Sequence, residues 1–179
     1  LIIALMLTIG SFAQVVSKGD HYATAFFGIG GTAYDSYNYG LLVPPVGAQY
    51  EVILTDEIGI GHIGVSGTAS YSARRYTGSF FDSMYHYLTI GARGMYHFNL
   101  GDYLDEPFFN DLDAYAGLFM GMNYRLETTT DTYYTHAGNR LLPVADLIIG
   151  GRYFLSDNFA AMAELGFGVT FLSVGVTMK

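Results

Sequence analysis

Apolar residues recur at every second position over much of this chain. Between 46 and 54, Ala48, Tyr50, Val52 and Leu54 share one face, opposite Gln49 and Glu51. Between 59 and 72, Ile63, Val65, Ala69 and Tyr71 oppose His62, Ser66, Thr68 and Ser70. The run 113–126 sets Ala114, Ala116, Leu118, Met120, Met122 and Tyr124 against Asp113, Tyr115, Asn123 and Arg125. At the end, Leu172, Val174, Val176 and Met178 alternate with Ser173, Gly175 and Thr177. A period of two sustained over such lengths predicts β-strands. Eight segments follow the pattern, near 22–32, 46–54, 59–72, 83–98, 113–126, 141–155, 159–168 and 171–179.

The connections alternate in character. TDEI (55–58) and SDN (156–158) are tight polar turns, whereas 33–45, 73–82 and 127–140 are longer and Tyr-rich. Short turns at one end and long loops at the other are the habit of a membrane β-barrel. Two connections break the rule: 99–112 is long on the short-turn side, and the one around Val169–Thr170 is very short on the long-loop side.

Alternation alone also fits a soluble, lipocalin-like ligand-binding barrel, which is apolar inside and polar outside. Composition separates the two. Only 13% of the residues are charged and half are hydrophobic, against about 25% charged in a soluble domain. The polar face is too poor in charge to meet water and suits a narrow, packed lumen. Tyr71, Tyr85, Tyr87 and Tyr124 near the loop ends, with Phe98, Tyr153, Phe154 and Phe159 near the turn ends, suggest two aromatic bands flanking the apolar zone. The expected fold is therefore all-β: an eight-stranded antiparallel up-and-down transmembrane β-barrel.

The stretch LIIALMLTIGSFA (1–13) is apolar, too short to span a bilayer as a helix, and closes on small residues. It reads as a truncated signal peptide, with residues 14–179 as a single outer-membrane barrel domain. The plan resembles the small outer-membrane β-barrel family of Gram-negative bacteria, the OmpX/OmpA-type barrels. VGAQYEVIL (46–54), GGRYFLSDNFAAMAELGFG (150–168) and FLSVGVTMK (171–179) carry the likeness, which extends to the porin-family barrel proteins of Bacteroidetes. Such barrels usually end in an aromatic residue, where this chain has Lys179. The resemblance implies outer-membrane localisation, a monomeric barrel, and lipid or lipopolysaccharide as its surroundings.

Assigning the polar face to the lumen sorts the charges. Glu51, Asp146, Glu164, Arg93, Arg125 and Arg152 point inward by parity, as do His62 and His97. An unpaired charge in a narrow lumen is very costly, so these residues should form a charge network. A four-residue hairpin at TDEI, with Leu54 opposite Gly59, places Glu51 opposite His62. Leu155 facing Phe159 across SDN places Arg152 opposite Met162 and diagonal to Glu164. Asp146 and Arg152 stand six residues apart on one strand, roughly 20 Å, and cannot neutralise each other. Arg125 is a candidate partner for Asp146. Ile148 also points inward and finds no role in a polar lumen.

Candidate chemistry is sparse. There is no Cys, which excludes disulfides and thiolate sites. With a net charge of −8 and no basic cluster beyond Arg74–Arg75, nucleic acid is not an expected partner. Asp82, Ser83 and His86, or Asp131 and His136, would have to supply any catalysis; adjacent residues in an extended chain alternate faces, so the first three do not read as a triad. Asp102, Asp105, Glu106, Asp111 and Asp113 do not follow a Ca²⁺-loop spacing and read as a solvated turn. GIGG (28–31) lacks the Lys of a phosphate loop; its glycines suit a crowded bend. Pro44–Pro45 should mark the start of the second strand. Tyr34, Tyr37, Tyr39, Arg74, Arg75, Tyr133 and Tyr134 offer an adaptable loop surface.

The sequence thus predicts a non-catalytic outer-membrane barrel with a salt-bridged, closed lumen and a structural or surface-interaction role in adhesion or envelope integrity. Neither cofactor nor metal is expected. The alternatives are a subunit of a larger envelope secretion or uptake complex docking through 99–112, a narrow pore, and the soluble lipocalin-like barrel.

Overall fold

The computed structural model describes residues 15–31, 39–77, 82–104, 106–129 and 138–179. The strands are β1 (His21–Ile29), β2 (Tyr39–Ile53), β3 (Gly61–Thr77), β4 (Asp82–Phe98), β5 (Leu112–Thr129), β6 (Arg140–Ser156), β7 (Phe159–Gly166) and β8 (Leu172–Met178). Each pairs antiparallel with its sequence neighbours, and β8 pairs with β1, giving one closed barrel. Two 3₁₀ turns, Leu100–Asp102 and Pro107–Asp111, lie between β4 and β5.

The wall is inside out relative to a soluble protein. Exposed and buried positions alternate without a break along β1 and β7. Leu118, Met120, Leu147, Ile149 and Val176 are exposed, Met120 by 71%, while Glu51, Asp113 and Arg152 are each 1% exposed. In water that arrangement would forfeit roughly 25 cal/mol per Å² of apolar surface left uncovered, and it would bury charge besides. In lipid the apolar face costs nothing, and the buried charges are left to be offset by pairing inside the barrel. No helix among the described residues is long and apolar enough to cross a membrane. The outward apolar wall and the charged interior argue against the soluble lipocalin-like barrel.

Strand lengths are unequal. β2 to β6 run 15 to 18 residues, but β1, β7 and β8 only 9, 8 and 7. The extra length lies at the loop end. There β6 loses its β7 partner beyond Ile148, and β2 loses β1 beyond Val46. Both edges, unpaired among the described residues, carry proline, Pro143 on β6 and Pro44–Pro45 on β2. Proline has no N–H to offer a foreign strand, so it blunts an edge.

Several expectations are corrected. β2 starts at Tyr39 rather than 46, and Pro44–Pro45 sit inside it, in the second of two irregular steps of the ladder. β3 runs through Arg74–Arg75 to Thr77, where a loop was expected. In such ends strict alternation lapses: the neighbours Leu41 and Leu42 on β2 are both exposed, as are Leu141 and Leu142 on β6. The β2–β3 turn is longer than a four-residue hairpin: Ile53 faces Gly64, and Glu51 faces Ser66, not His62. Gly59, at φ +71°, makes the extra bend, with Ile58 bridging Gly61. In the β6–β7 hairpin, Ser156 rather than Leu155 faces Phe159, yet Arg152 is opposite Met162. Tyr85 and Tyr87 are buried together with Val169 packed against them, and Phe154 packs towards Tyr22, so these three do not belong to the aromatic bands.

Candidate functional site

The interior is filled from the turn end upward. Residues 15–20 fold beneath the barrel: Gly19 N–H donates to the Ile53 carbonyl, and the Asp20 carboxylate accepts from Ser17 N–H (2.8 Å) and the Tyr22 hydroxyl (3.1 Å). Lys179 pairs with Asp20 at 2.8 Å. Val16, Tyr22 and Ile53 are buried there, with Val15 and Phe154 against them.

Above this floor lies a four-membered charge cluster. Arg152 donates from Nη2 to Glu51 and from Nη1 to Asp113 at 3.3 Å. Its guanidinium is held between two rings, 4.6 Å from the centroid of Tyr22 and 4.9 Å from that of Tyr115. His97 spans the same two acids, Nδ1 to Asp113 at 2.8 Å and Nε2 to Glu51 at 3.0 Å. Carboxylates only accept, so both ring nitrogens must donate, which requires the doubly protonated ring. Two acids and two cations then sum to zero in a layer with no water access. His62 is different. Its Nδ1 lies 3.1 Å from the Thr55 carbonyl and its Nε2 3.2 Å from the Asn99 amide nitrogen, which fits a neutral ring donating at one nitrogen and accepting at the other.

A second balanced cluster sits higher. Arg93 grips Glu164 with two bonds, 2.8 and 3.1 Å, and also donates to Gln49. Such bidentate pairing is the strong form of an ion pair. The Tyr115 hydroxyl donates to the same Glu164 oxygen at 2.8 Å. Beside them a cavity of about 20 Å³, lined also by Thr68 and Thr89, has room for roughly one water.

Next comes an apolar layer of Met95, Tyr115, Phe119 and Ile148, with Val144 and Val169 packed against it. Ile148 thereby finds its role: the lumen is not polar throughout. Val169 belongs to the short β7–β8 connection, which turns inward instead of rising as a loop. Asp146 holds it there. Its carboxylate accepts from the backbone N–H groups of Phe167 (2.6 Å), Gly168 (2.7 Å) and Val169 (2.8 Å). Three amide dipoles replace a counter-cation, much as in anion-binding backbone nests. The turn fits over β1 because Gly28 leaves room for Thr170 and Gly30, at φ +69°, for Phe171.

Glu51, His97 and Arg152 are thus brought together, as are Arg93 and Glu164. The expected Arg152–Glu164 contact is replaced by Arg152 with Glu51 and Asp113. His62 stands apart at the turn end, and Arg125, 5.6 Å from the Tyr85 ring, is not the partner of Asp146. Sequence reading missed Asp113, which it gave to the acidic connection, and the rings of Tyr22 and Tyr115. Strand parity put Asp113 on the inward face and could have found it.

The remaining candidates do not converge. Ser83 is buried, while His86 stacks on Tyr71 on the other face of β4, its Nδ1 2.7 Å from the Tyr71 hydroxyl. The side chain of Asp82, and Asp131 and His136, lie outside the described residues, as do Tyr34, Tyr37, Tyr133, Tyr134 and the Tyr39 side chain. Arg75 is exposed and Arg74 half-buried. Among the described residues no three His, Asp or Glu side chains gather as metal ligands; Asp105 lies outside them.

No protein-family model and no curated protein matches the chain. Among solved structures, the N-terminal β-barrel domain of Pseudomonas aeruginosa OprF aligns with a TM-score of 0.52 and 16% identity, over 91% of this chain and 98% of that one. Ail, the attachment invasion locus protein of Yersinia pestis, solved in complex with the heparin analogue sucrose octasulfate, gives 0.47 and 15% over 90% and 95%. The likeness to the OprF domain is one of fold: a small eight-stranded barrel spanned almost end to end.

Proposed function

We propose that this chain is a non-catalytic, integral outer-membrane β-barrel, exported by the segment 1–13, whose lumen is closed by ion pairs and whose role is structural or surface-interacting. The observation that carries the reading is Arg152. It is 1% exposed and held between Glu51 and Asp113, with the Tyr22 and Tyr115 rings against its guanidinium and the Arg93–Glu164 cluster and then an apolar layer beyond. The Arg152 Nη1 and Nη2 and both His97 ring nitrogens are spent on the two carboxylates, which leaves the Arg152 Nε as the buried donor of this cluster without a partner among the described residues. A barrel of eight strands is just wide enough to be filled by its own side chains, and here two neutral clusters and an inward-folded turn fill it. The raised ends of β2 to β6, with Arg74 and Arg75 among them, supply the outer surface for adhesion or contact with lipopolysaccharide phosphates.

The test is reconstitution in planar bilayers. Wild type and Arg152→Ala should both give no steady conductance, while the membrane fraction yields a heat-modifiable band on gels. Large, stable channels from either protein would overturn the closed-lumen reading in favour of a narrow pore. Docking of an envelope complex through 99–112 is the second reading. It predicts a pull-down that is lost when 102–111 is deleted.

A further inference from the structure

At the turn end, the connections do not simply hang into water. The segment between β4 and β5 carries Tyr103, Leu104 and Phe108, all exposed. Its two 3₁₀ turns fix that display: Leu104 N–H donates to the Leu100 carbonyl and Phe109 N–H to that of Glu106. Phe108 stacks on Tyr153 at 5.1 Å and 20°. Tyr153 is an outward residue of β6, next to Leu155, which is exposed by 72%. Phe108 therefore extends the lipid-facing belt downward, off the strand and onto the connection. The β2–β3 turn does the same on the neighbouring wall. The hydroxyl of Tyr96, which projects from β4, donates to the Ile58 carbonyl (2.6 Å) and accepts from Ile60 N–H (3.3 Å), holding both isoleucines exposed. Acidic residues are interleaved with these apolar ones: Asp56 and Glu57 in the turn, Asp102, Glu106 and Asp111 in the segment.

We infer that these two connections form an amphipathic collar that seats in the headgroup layer of the adjoining leaflet, with zwitterionic phospholipid as its partner. Tyr and Phe are the side chains that favour this boundary, apolar on one side and wet on the other. Asp56 is taken by Lys18 at 2.6 Å; the other carboxylates would face the lipid ammonium groups, so a zwitterionic surface suits them better than an anionic one. Continuity with the belt through Tyr153 favours lipid over a protein partner for the same residues. The collar rests on the membrane reading of the barrel, and the experiment separates the two.

The chain contains no tryptophan, so one introduced Trp reports alone. Phe108→Trp and a mid-belt control, Leu118→Trp, are reconstituted in phosphatidylcholine vesicles brominated either near the headgroup or deep in the acyl chain. Heat-modifiable mobility verifies folding, and Tyr103→Trp replaces Phe108→Trp should that variant fail to fold. Emission from position 118 should be lost to the deep bromine, and emission from position 108 to the shallow bromine, with little loss to acrylamide. If position 108 is quenched by acrylamide and by no brominated lipid while position 118 is still quenched, the collar is refuted. If position 118 escapes lipid quenching as well, the membrane reading falls and the collar falls with it.

Discussion

Replacing Arg152 by alanine tests the interior most severely. The side chain is 1% exposed and bonds two carboxylates, Glu51 and Asp113. Without it, His97 alone faces both acids, and a layer that summed to zero carries one uncompensated negative charge. Breaking a buried ion pair by removing one partner costs about 3–5 kcal/mol. Against a total stability on the order of 5–15 kcal/mol, that is a large fraction. Urea unfolding in phospholipid vesicles, followed by circular dichroism and heat-modifiable mobility, measures the loss. Charge balance is the stated cause, so Arg152→Ala combined with Glu51→Gln should recover part of it, although a second contact has been removed. A single mutant within about 0.5 kcal/mol of wild type, the range of ordinary surface substitutions, would refute the reasoning. So would a double mutant whose losses add within about 0.5 kcal/mol, the behaviour of independent sites.

Asp146→Ala strips three backbone N–H groups of their acceptor; the loss should be about 1–3 kcal/mol, with faster hydrogen exchange at Phe167, Gly168 and Val169. A double-mutant cycle between Glu51→Gln and His97→Gln should show coupling, whereas one between Glu51→Gln and His62→Gln should be additive; the reverse result would restore the hairpin expectation of Glu51 opposite His62. At the exposed turn, a hydrogen bond from Lys18 and its charge hold the Asp56 carboxyl below its ordinary value. Any stability from that pair is present at neutral pH and fades as acid protonates Asp56. Lys18→Ala should move the Asp56 titration upward by NMR and leave unfolding unchanged. Gly30→Val, at φ +69° and against the Phe171 ring, should lower stability and disturb the β7–β8 turn, read by near-ultraviolet circular dichroism.

Strand identity was legible because lipid enforces alternation. Leu118, Met120 and Met122 on β5 must be apolar, and the residues between them need not be. Where the ladder is irregular the alternation lapses, and so did the reading: Tyr39 to Pro45 and Ala73 to Thr77 look like loop and are strand. Inward charge was legible by parity for Glu51, His97, Arg152, Arg93 and Glu164. Their partners were not, because hairpin register relates only adjacent strands. Arg152 on β6 meets Glu51 on β2, and Arg93 on β4 meets Glu164 on β7. Such contacts cross the lumen and depend on how the closed barrel is staggered. Asp113 opposite Arg152 was within reach of register; its place in a run of acids hid it. The three amides that hold Asp146 come from backbone, to which no side-chain pattern points.

The central claim, a wall facing lipid around a filled interior, is open to one direct measurement. The chain has no cysteine, so single cysteines carrying nitroxide labels can be placed along β5 in vesicles. Labels at Leu118, Met120 and Met122 should collide freely with oxygen and hardly at all with a polar nickel reagent. Labels at Phe119 and Asn123 should be shielded from both and strongly immobilised. An inward set open to the nickel reagent would mean a water-filled channel, and an outward set open to it would mean that the barrel does not sit in lipid.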